Sequence, residues 1–172
     1  MLPSAARKHP LEPASLRSFS ARSIGRVAVL IWHTEVTLEG VKALGEVFAE
    51  LRGQNFAEGL GFLTIIESKT DLRPPAAVRQ SVAQILRDYG GDICAAAVAY
   101  EADGFKATIV RSVITAINLA SSSRFPNRVF SHTRHALGWL VDELKDPTLL
   151  GQLHAGVRQL RVTDSHVSGP IL

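Results

Sequence analysis

The chain has 172 residues, with 19 lysines and arginines against 16 aspartates and glutamates, and a formal net charge of +3. Residues 1–26 hold five basic residues and one acidic residue, a net of +4, so residues 27–172 carry a net of −1. Because a nucleic-acid-binding surface usually concentrates basic charge, this near-neutral body argues against a nucleic-acid partner.

Length and composition predict a single globular domain. Cys94 is the lone cysteine, which excludes an intramolecular disulfide and favours a reducing compartment. Since it lies in an apolar stretch, we expect its thiol to be buried and inert. No apolar run approaches the roughly 20 residues that span a bilayer, so we expect a cytoplasmic protein without membrane insertion.

The N-terminal segment allows more than one interpretation. We expect residues 1–14 to form a disordered basic tail. The composition of residues 1–26, rich in arginine and serine and poor in acidic residues, is also typical of transit peptides, although Pro3, Pro10 and Pro13 would interrupt the amphipathic helix that such peptides need. A further hypothesis is that this tail touches a membrane surface or nucleic acid.

The rest of the chain alternates predicted strands and helices. Apolar alternation or continuous apolar runs predict strands over residues 15–22, 27–32, 60–66, 93–100 and 128–131. Apolar residues at helical spacing predict helices that start near Thr37, Pro75, Phe105, Thr133 and Pro147. Thr37 and Thr133 are the expected N-cap residues.

This order predicts an α/β fold. We expect a single domain over residues 15–145 with a four- to five-stranded, mainly parallel sheet covered by helices. A C-terminal amphipathic helix over residues 146–161 and a frayed tail over 162–172 complete the predicted organisation.

The third predicted helix is unusually apolar, which indicates burial on more than one side, by its own domain or by a partner. The C-terminal helix is the other candidate for a homodimer surface. The predicted interface residues are Val110, Ile114, Ile117, Leu149 and Leu153.

Polar side chains follow the central strands, where parallel sheets bind ligands. They include acid and base candidates for a ligand rim, against the alternative of ordinary solvated loops. The rim candidates are His33, Glu35, Glu67, Asp71 and Glu101.

Recognised catalytic and cofactor signatures are missing from the sequence. The chain has no glycine-rich phosphate loop and no Gly-x-Ser-x-Gly motif. His132 and His135 have a spacing that could chelate a metal, but no cysteine or carboxylate cluster accompanies them in sequence. We therefore predict no catalytic residues, no metal site and no cofactor.

Residues 29–37, 104–106, 129–130 and 136–140, together with the element order, resemble the STAS and SpoIIAA-like superfamily, the anti-sigma-factor-antagonist-like domains. The similarity covers about residues 15–145. It implies a STAS-like fold and a non-enzymatic bacterial regulatory module that acts by binding partner proteins.

The same resemblance implies a phosphorylation switch at Ser68, since classical members carry a phosphorylated serine at the start of a helix. The sequence departs from the usual Asp-Ser-x-Gly pattern, because Glu67 replaces the aspartate and the stretch Glu67-Ser68-Lys69-Thr70 ends without the glycine. The alternative function is a small enzyme or ligand-binding domain that uses the loops at the carboxyl ends of the strands.

Overall fold

Five strands form one sheet with helices on both of its faces, in a computed structural model that describes residues 17–101 and 104–162. The strands are β1 (Phe19–Ile24), β2 (Val27–Trp32), β3 (Leu60–Ile66), β4 (Ile93–Tyr100) and β5 (Asn127–Phe130). The helices are α1 (Leu38–Gln54), α2 (Ala76–Tyr89), α3 (Phe105–Ser121), α4 (Thr133–Leu144) and α5 (Leu149–Val162). The predicted α/β class with a mainly parallel sheet is confirmed. The predicted tails over 1–14 and 162–172 lie outside the described residues, apart from Val162 at the end of α5.

The strands lie side by side in chain order, β1-β2-β3-β4-β5. β1 pairs antiparallel with β2 through a tight turn at Gly25, whose φ of 54° favours glycine. β2 to β5 are all parallel, so each connection between them includes a helix. No helix among the described residues is long and apolar enough to cross a membrane.

The helices cover both faces of the sheet. Side chains of α1, α2 and α3 join one apolar core, whereas α4 and α5 join a second core on the opposite face. Ala95, Ala97 and Ala99 alternate along β4 and are buried in the second core, where their small side chains leave room for α4. The central strands β2 and β3 are therefore buried on both sides.

Local structure at the helix ends agrees with part of the sequence prediction. The Thr37 hydroxyl accepts a hydrogen bond from the Gly40 amide at 3.2 Å and caps α1 as expected. Thr133 does not cap α4, because His132 occupies the N-cap position and the Thr133 hydroxyl is bonded to Glu101 instead. β1 covers Phe19–Ile24 and extends two residues beyond the predicted end at position 22, since its register with β2 is set by the turn at Gly25. Residues 15 and 16 of the predicted strand lie outside the described residues.

The expectation that Cys94 is buried is wrong. The pairing of β3 with β4 skips Cys94, as Leu60 is opposite Ile93 and Gly61 is opposite Ala95. This bulge turns the Cys94 side chain outward, and it is exposed with its thiol 3.3 Å from the Glu58 carbonyl.

Arg26 counts toward the basic N-terminal segment in the sequence, yet its side chain is buried in the fold. Its guanidinium donates hydrogen bonds to the carbonyls of Glu58, Gly59 and Leu144 at 2.6–2.9 Å. Because Leu144 is the last residue of α4, Arg26 ties the end of that helix to the β1–β2 turn. Its charge therefore has a structural role and is not available to a partner.

Gly40 in α1 offers a test of the packing between that helix and the sheet. Alanine favours a helix over glycine by about 1 kcal/mol, but a Cβ at Gly40 would collide with the Trp32 ring. We expect Gly40→Ala to lower the free energy of unfolding by about 1–3 kcal/mol, measured by urea denaturation.

Gly53→Ala in the same helix is the matched control, since its new Cβ would meet open space. It should raise the free energy of unfolding by about 0.5–1 kcal/mol. A Gly40→Ala protein as stable as wild type would contradict the described contact between α1 and Trp32.

Candidate functional site

The carboxyl ends of the parallel strands gather several polar side chains at one edge of the sheet. His33 follows β2, Glu67 follows β3 and Glu101 follows β4. These three residues were predicted to share a rim, and hydrogen bonds and ion pairs link them through Arg161. We call the connected set the edge network; its members are Ser20, His33, Glu67, Glu101, Thr133 and Arg161.

His33 lies at the centre of one half of the edge network. Its Nε2 lies 2.9 Å from the Ser20 Oγ, and its Nδ1 lies 3.1 Å from a carboxylate oxygen of Glu67. The His33 side chain is only 8% exposed, whereas the Glu67 side chain is 31% exposed. When the Glu67 carboxylate accepts a hydrogen bond from Nδ1–H, Nε2 is the acceptor for the Ser20 hydroxyl.

Arg161 on α5 joins the two halves of the edge network. Its Nη2 donates to the Glu101 carboxylate at 2.9 Å and to the Thr133 hydroxyl at 3.3 Å. Its Nε lies 3.7 Å from Glu67, an ion-pair distance that is too long for a hydrogen bond. One cation thus faces two carboxylates that follow different strands.

Glu101 is the member of the edge network with a shifted pKa. Partial burial by itself would raise the pKa of Glu101, but hydrogen bonds from Thr133 and Arg161 and the positive charge of Arg161 outweigh burial. The pKa of Glu101 therefore lies below its usual value, and the carboxylate is ionised at neutral pH.

Glu35 and Asp71 lie beside this edge but do not join the edge network. Their backbones pair in an isolated parallel bridge, with the Asp71 amide donating to the Thr34 carbonyl at 2.8 Å. The Asp71 carboxylate pairs instead with exposed Arg73 at 3.4 Å, and Glu35 is exposed. Of the five predicted rim residues, His33, Glu67 and Glu101 therefore belong to the edge network, whereas Glu35 and Asp71 lie in the adjoining loops.

Three members of the edge network were not predicted from the sequence: Ser20, Thr133 and Arg161. Ser20 and Arg161 lie in elements at opposite ends of the chain, and nothing in their local patterns indicates that Ser20 contacts His33 or that Arg161 contacts Glu67 and Glu101. Thr133 follows the short strand β5, and its place at the start of a predicted helix suggested capping instead. Their proximity is a consequence of tertiary packing.

Ser68, the predicted phosphorylation site, is exposed in the turn after β3. α2 begins at Ala76, eight positions after Ser68, so the serine does not lie at the start of a helix. A phosphate at Ser68 would therefore gain little from the α2 dipole, whose effect is confined to the first turn. Phosphorylation at this residue stays a prediction.

The predicted interface residues divide in a similar way. Val110, Leu149 and Leu153 are at most 3% exposed and pack inside the chain's own cores, so they do not form a free interface. This corrects the prediction for these three residues. Ile114 and Ile117 on α3 are half-buried against the first core.

α3 also carries apolar side chains that its own fold leaves uncovered. Leu119 is 77% exposed, the largest exposure of a large apolar residue in the described part of the chain. Ala116 and Ala120 are exposed, and Ile109 and Val113 are half-buried. These five residues, which we call the α3 stripe, lie within one half of the helix surface.

Open cavities lie away from the edge network. Two of about 670 and 320 Å³ meet at the opposite edge of the sheet, near Glu58 and Cys94. A third, of about 90 Å³, lies between α2, α3 and the sheet. The side chains of the edge network thus contact one another without lining any of these three cavities.

The lowered pKa of Glu101 predicts a pH-dependent loss of stability. A carboxylate with a lowered pKa stabilises the fold above its usual value of 4.5, and the gain is lost as pH falls through the lowered pKa. We expect Glu101→Gln to lower the free energy of unfolding by about 1 kcal/mol at pH 7, with the difference from wild type shrinking toward pH 3.

Urea denaturation at a series of pH values measures this difference. Glu46→Gln, at an exposed position of α1, is the matched control and should stay within about 0.5 kcal/mol of wild type. A Glu101→Gln effect as large at pH 3 as at pH 7 would show that the loss does not come from the charge.

The chain was compared with protein-family models, with curated proteins and with solved structures, and none of them matches it. The described geometry, namely the edge network, the α3 stripe and the cavity beneath α3, is therefore what supports a function for this chain.

Proposed function

We propose that this chain is a non-enzymatic protein-interaction module of STAS-like type, which binds an acidic partner protein through the α3 stripe. The observation that carries the proposal is the mismatch between the composition and the burial of α3. Among its described apolar side chains only Val110 is buried, although apolar residues dominate the helix. A partner that covered Leu119 and its neighbours would remove this exposed apolar surface from water.

Charge around α3 favours an acidic partner. Residues 104–141 contain no aspartate or glutamate, so the net −1 of residues 27–172 hides a local excess of basic charge. Lys106, Arg111 and Arg124 are exposed on or beside α3. A protein surface with apolar side chains bordered by carboxylates would complement this arrangement, and the charges would speed association.

A second copy of the chain fits the α3 stripe less well. A two-fold dimer through this stripe would place side by side two copies of a helix that carries Lys106 and Arg111 and no acidic residue. Like charges at such an interface oppose association. Homodimerisation through α3 is therefore the weaker form of the proposal.

An amphipathic helical peptide with leucines on one face and glutamates around it tests the proposed surface. We expect it to bind the full chain, and its twin with lysine in place of every glutamate to bind at least tenfold more weakly. Leu119→Glu should weaken binding of the glutamate peptide by tenfold or more, because it places a negative charge at the most exposed apolar residue of the stripe. Fluorescence anisotropy at two salt concentrations measures both effects.

Leu150→Glu is the matched control, since Leu150 is an exposed leucine on α5, away from the stripe. Equal affinity for the two peptides, or equal losses from the two variants, would overturn the proposal. Light scattering of wild type and Leu119→Glu gives their oligomeric states. A wild-type dimer that Leu119→Glu dissociates would show that the partner at the stripe is a second copy of the chain and not an acidic protein.

A second candidate function is acyl transfer at the edge network. The two hydrogen-bond distances around His33 place a hydroxyl, an imidazole and a carboxylate in the order used by serine hydrolases. In such a reaction the Ser20 oxygen bonds to the acyl carbon while its proton passes to His33 Nε2. That proton then leaves with the departing alcohol, and water releases the acyl group by the same route.

Hydrolysis of p-nitrophenyl acetate tests the second candidate. We expect Ser20→Ala and His33→Ala each to reduce turnover to the solution background, whereas Ser23→Ala on the same strand keeps it. A burst of p-nitrophenolate from wild type would support an acyl-enzyme. Turnover equal in wild type and Ser20→Ala would exclude Ser20 as the nucleophile.

A further inference from the structure

We propose that the cavity between α2, α3 and the sheet binds a small, mostly apolar molecule that carries one O–H or N–H donor. This site goes beyond the proposed protein interface, because the cavity lies beneath α3. Occupants of this kind include phenols and short alcohols.

The cavity has a volume of about 90 Å³ and an almost entirely apolar lining. Its floor includes Phe62 and Ala96 on neighbouring strands, and its walls include Val82 on α2 and Ile114 on α3. Cavities with an apolar lining hold ordered water poorly, which favours an apolar occupant over solvent. An engineered cavity of about 150 Å³ holds benzene, which puts the occupant of this smaller site at no more than one ring.

One polar atom of a residue that lines the cavity has no hydrogen-bond donor among the described residues. Asn127 Nδ2 donates to Asn118 Oδ1 at 3.0 Å, and both residues line the cavity. Asn127 Oδ1 is buried, and no described residue donates a hydrogen bond to it. A buried acceptor without a donor is costly, and a ligand hydroxyl or N–H would satisfy it.

The packing of α3 explains how a ligand could enter. α3 packs mainly against α2, whereas α1 and α4 pack directly on strands of the sheet. Val113, Ile114 and Ile117 line the cavity yet are only half-buried. A small outward displacement of α3 would therefore widen the entrance of the cavity without disturbing the sheet.

The test uses phenol and toluene, which share one ring and differ in a hydroxyl against a methyl group. We expect phenol to shift the amide resonances of Thr64, Val98 and Asn127 in ¹⁵N NMR titrations of the full chain. Asn127→Leu should weaken the binding of phenol about three- to tenfold and leave the affinity for toluene unchanged or higher. The reason is that it replaces the amide acceptor with an apolar side chain.

Ala96→Leu is the cavity-filling variant and should abolish the binding of both compounds. Should that variant not fold, Ala96→Val adds less volume at the same position and should weaken both. Leu119 does not line the cavity. The Leu119→Glu variant should therefore bind phenol as wild type does, even if it no longer binds the glutamate peptide. The cavity and the proposed interface can thus fail separately.

Three results would overturn the proposal. The first is a folded wild-type chain in which phenol does not shift the amide resonances of Thr64, Val98 and Asn127. The second is phenol binding that survives Ala96→Leu, which would place the site elsewhere. The third is an equal change in the affinities for phenol and toluene in Asn127→Leu, which would show that the amide oxygen does not bind the phenol hydroxyl.

Discussion

The structure depends on the burial of its central strands on both faces. β2 and β3 consist almost entirely of apolar side chains, which must be covered from two sides. α1, α2 and α3 cover one face, and α4 and α5 cover the other. Because β2, β3 and β4 run parallel, their carboxyl ends come to one edge of the sheet. His33, Glu67 and Glu101 lie together for that reason.

The two faces of the sheet are not covered equally well. On one face the alanines of β4 let α4 approach closely, so α4 is well buried. On the other face α3 packs mainly on α2 and leaves a cavity beneath it. The α3 stripe and the cavity are thus two consequences of one loosely packed helix. That common origin is why both proposals concern α3 while requiring different variants to test them.

The edge network has a structural role whatever its chemistry. Arg161 lies near the end of α5, and its contacts with Glu67 and Glu101 hold that helix across the carboxyl ends of β3 and β4. Ion pairs of this kind contribute most when they are partly shielded and shared among several groups. The same arrangement limits the space for a substrate at this edge, which favours binding through α3 over chemistry at His33.

Local periodicity by itself determined the class of the fold and the positions of most elements. The apolar run at 27–32 and the helical spacing over 105–121 coincide with β2 and α3, because the repeat of a strand or helix is a property of neighbouring residues. Contacts between distant residues were decided only by tertiary packing. A bulge turned Cys94 outward, and the cores buried Val110, Leu149 and Leu153. The meeting of Ser20 with His33 and of Arg161 with Glu101 depends on how elements pack in three dimensions, which no local repeat encodes.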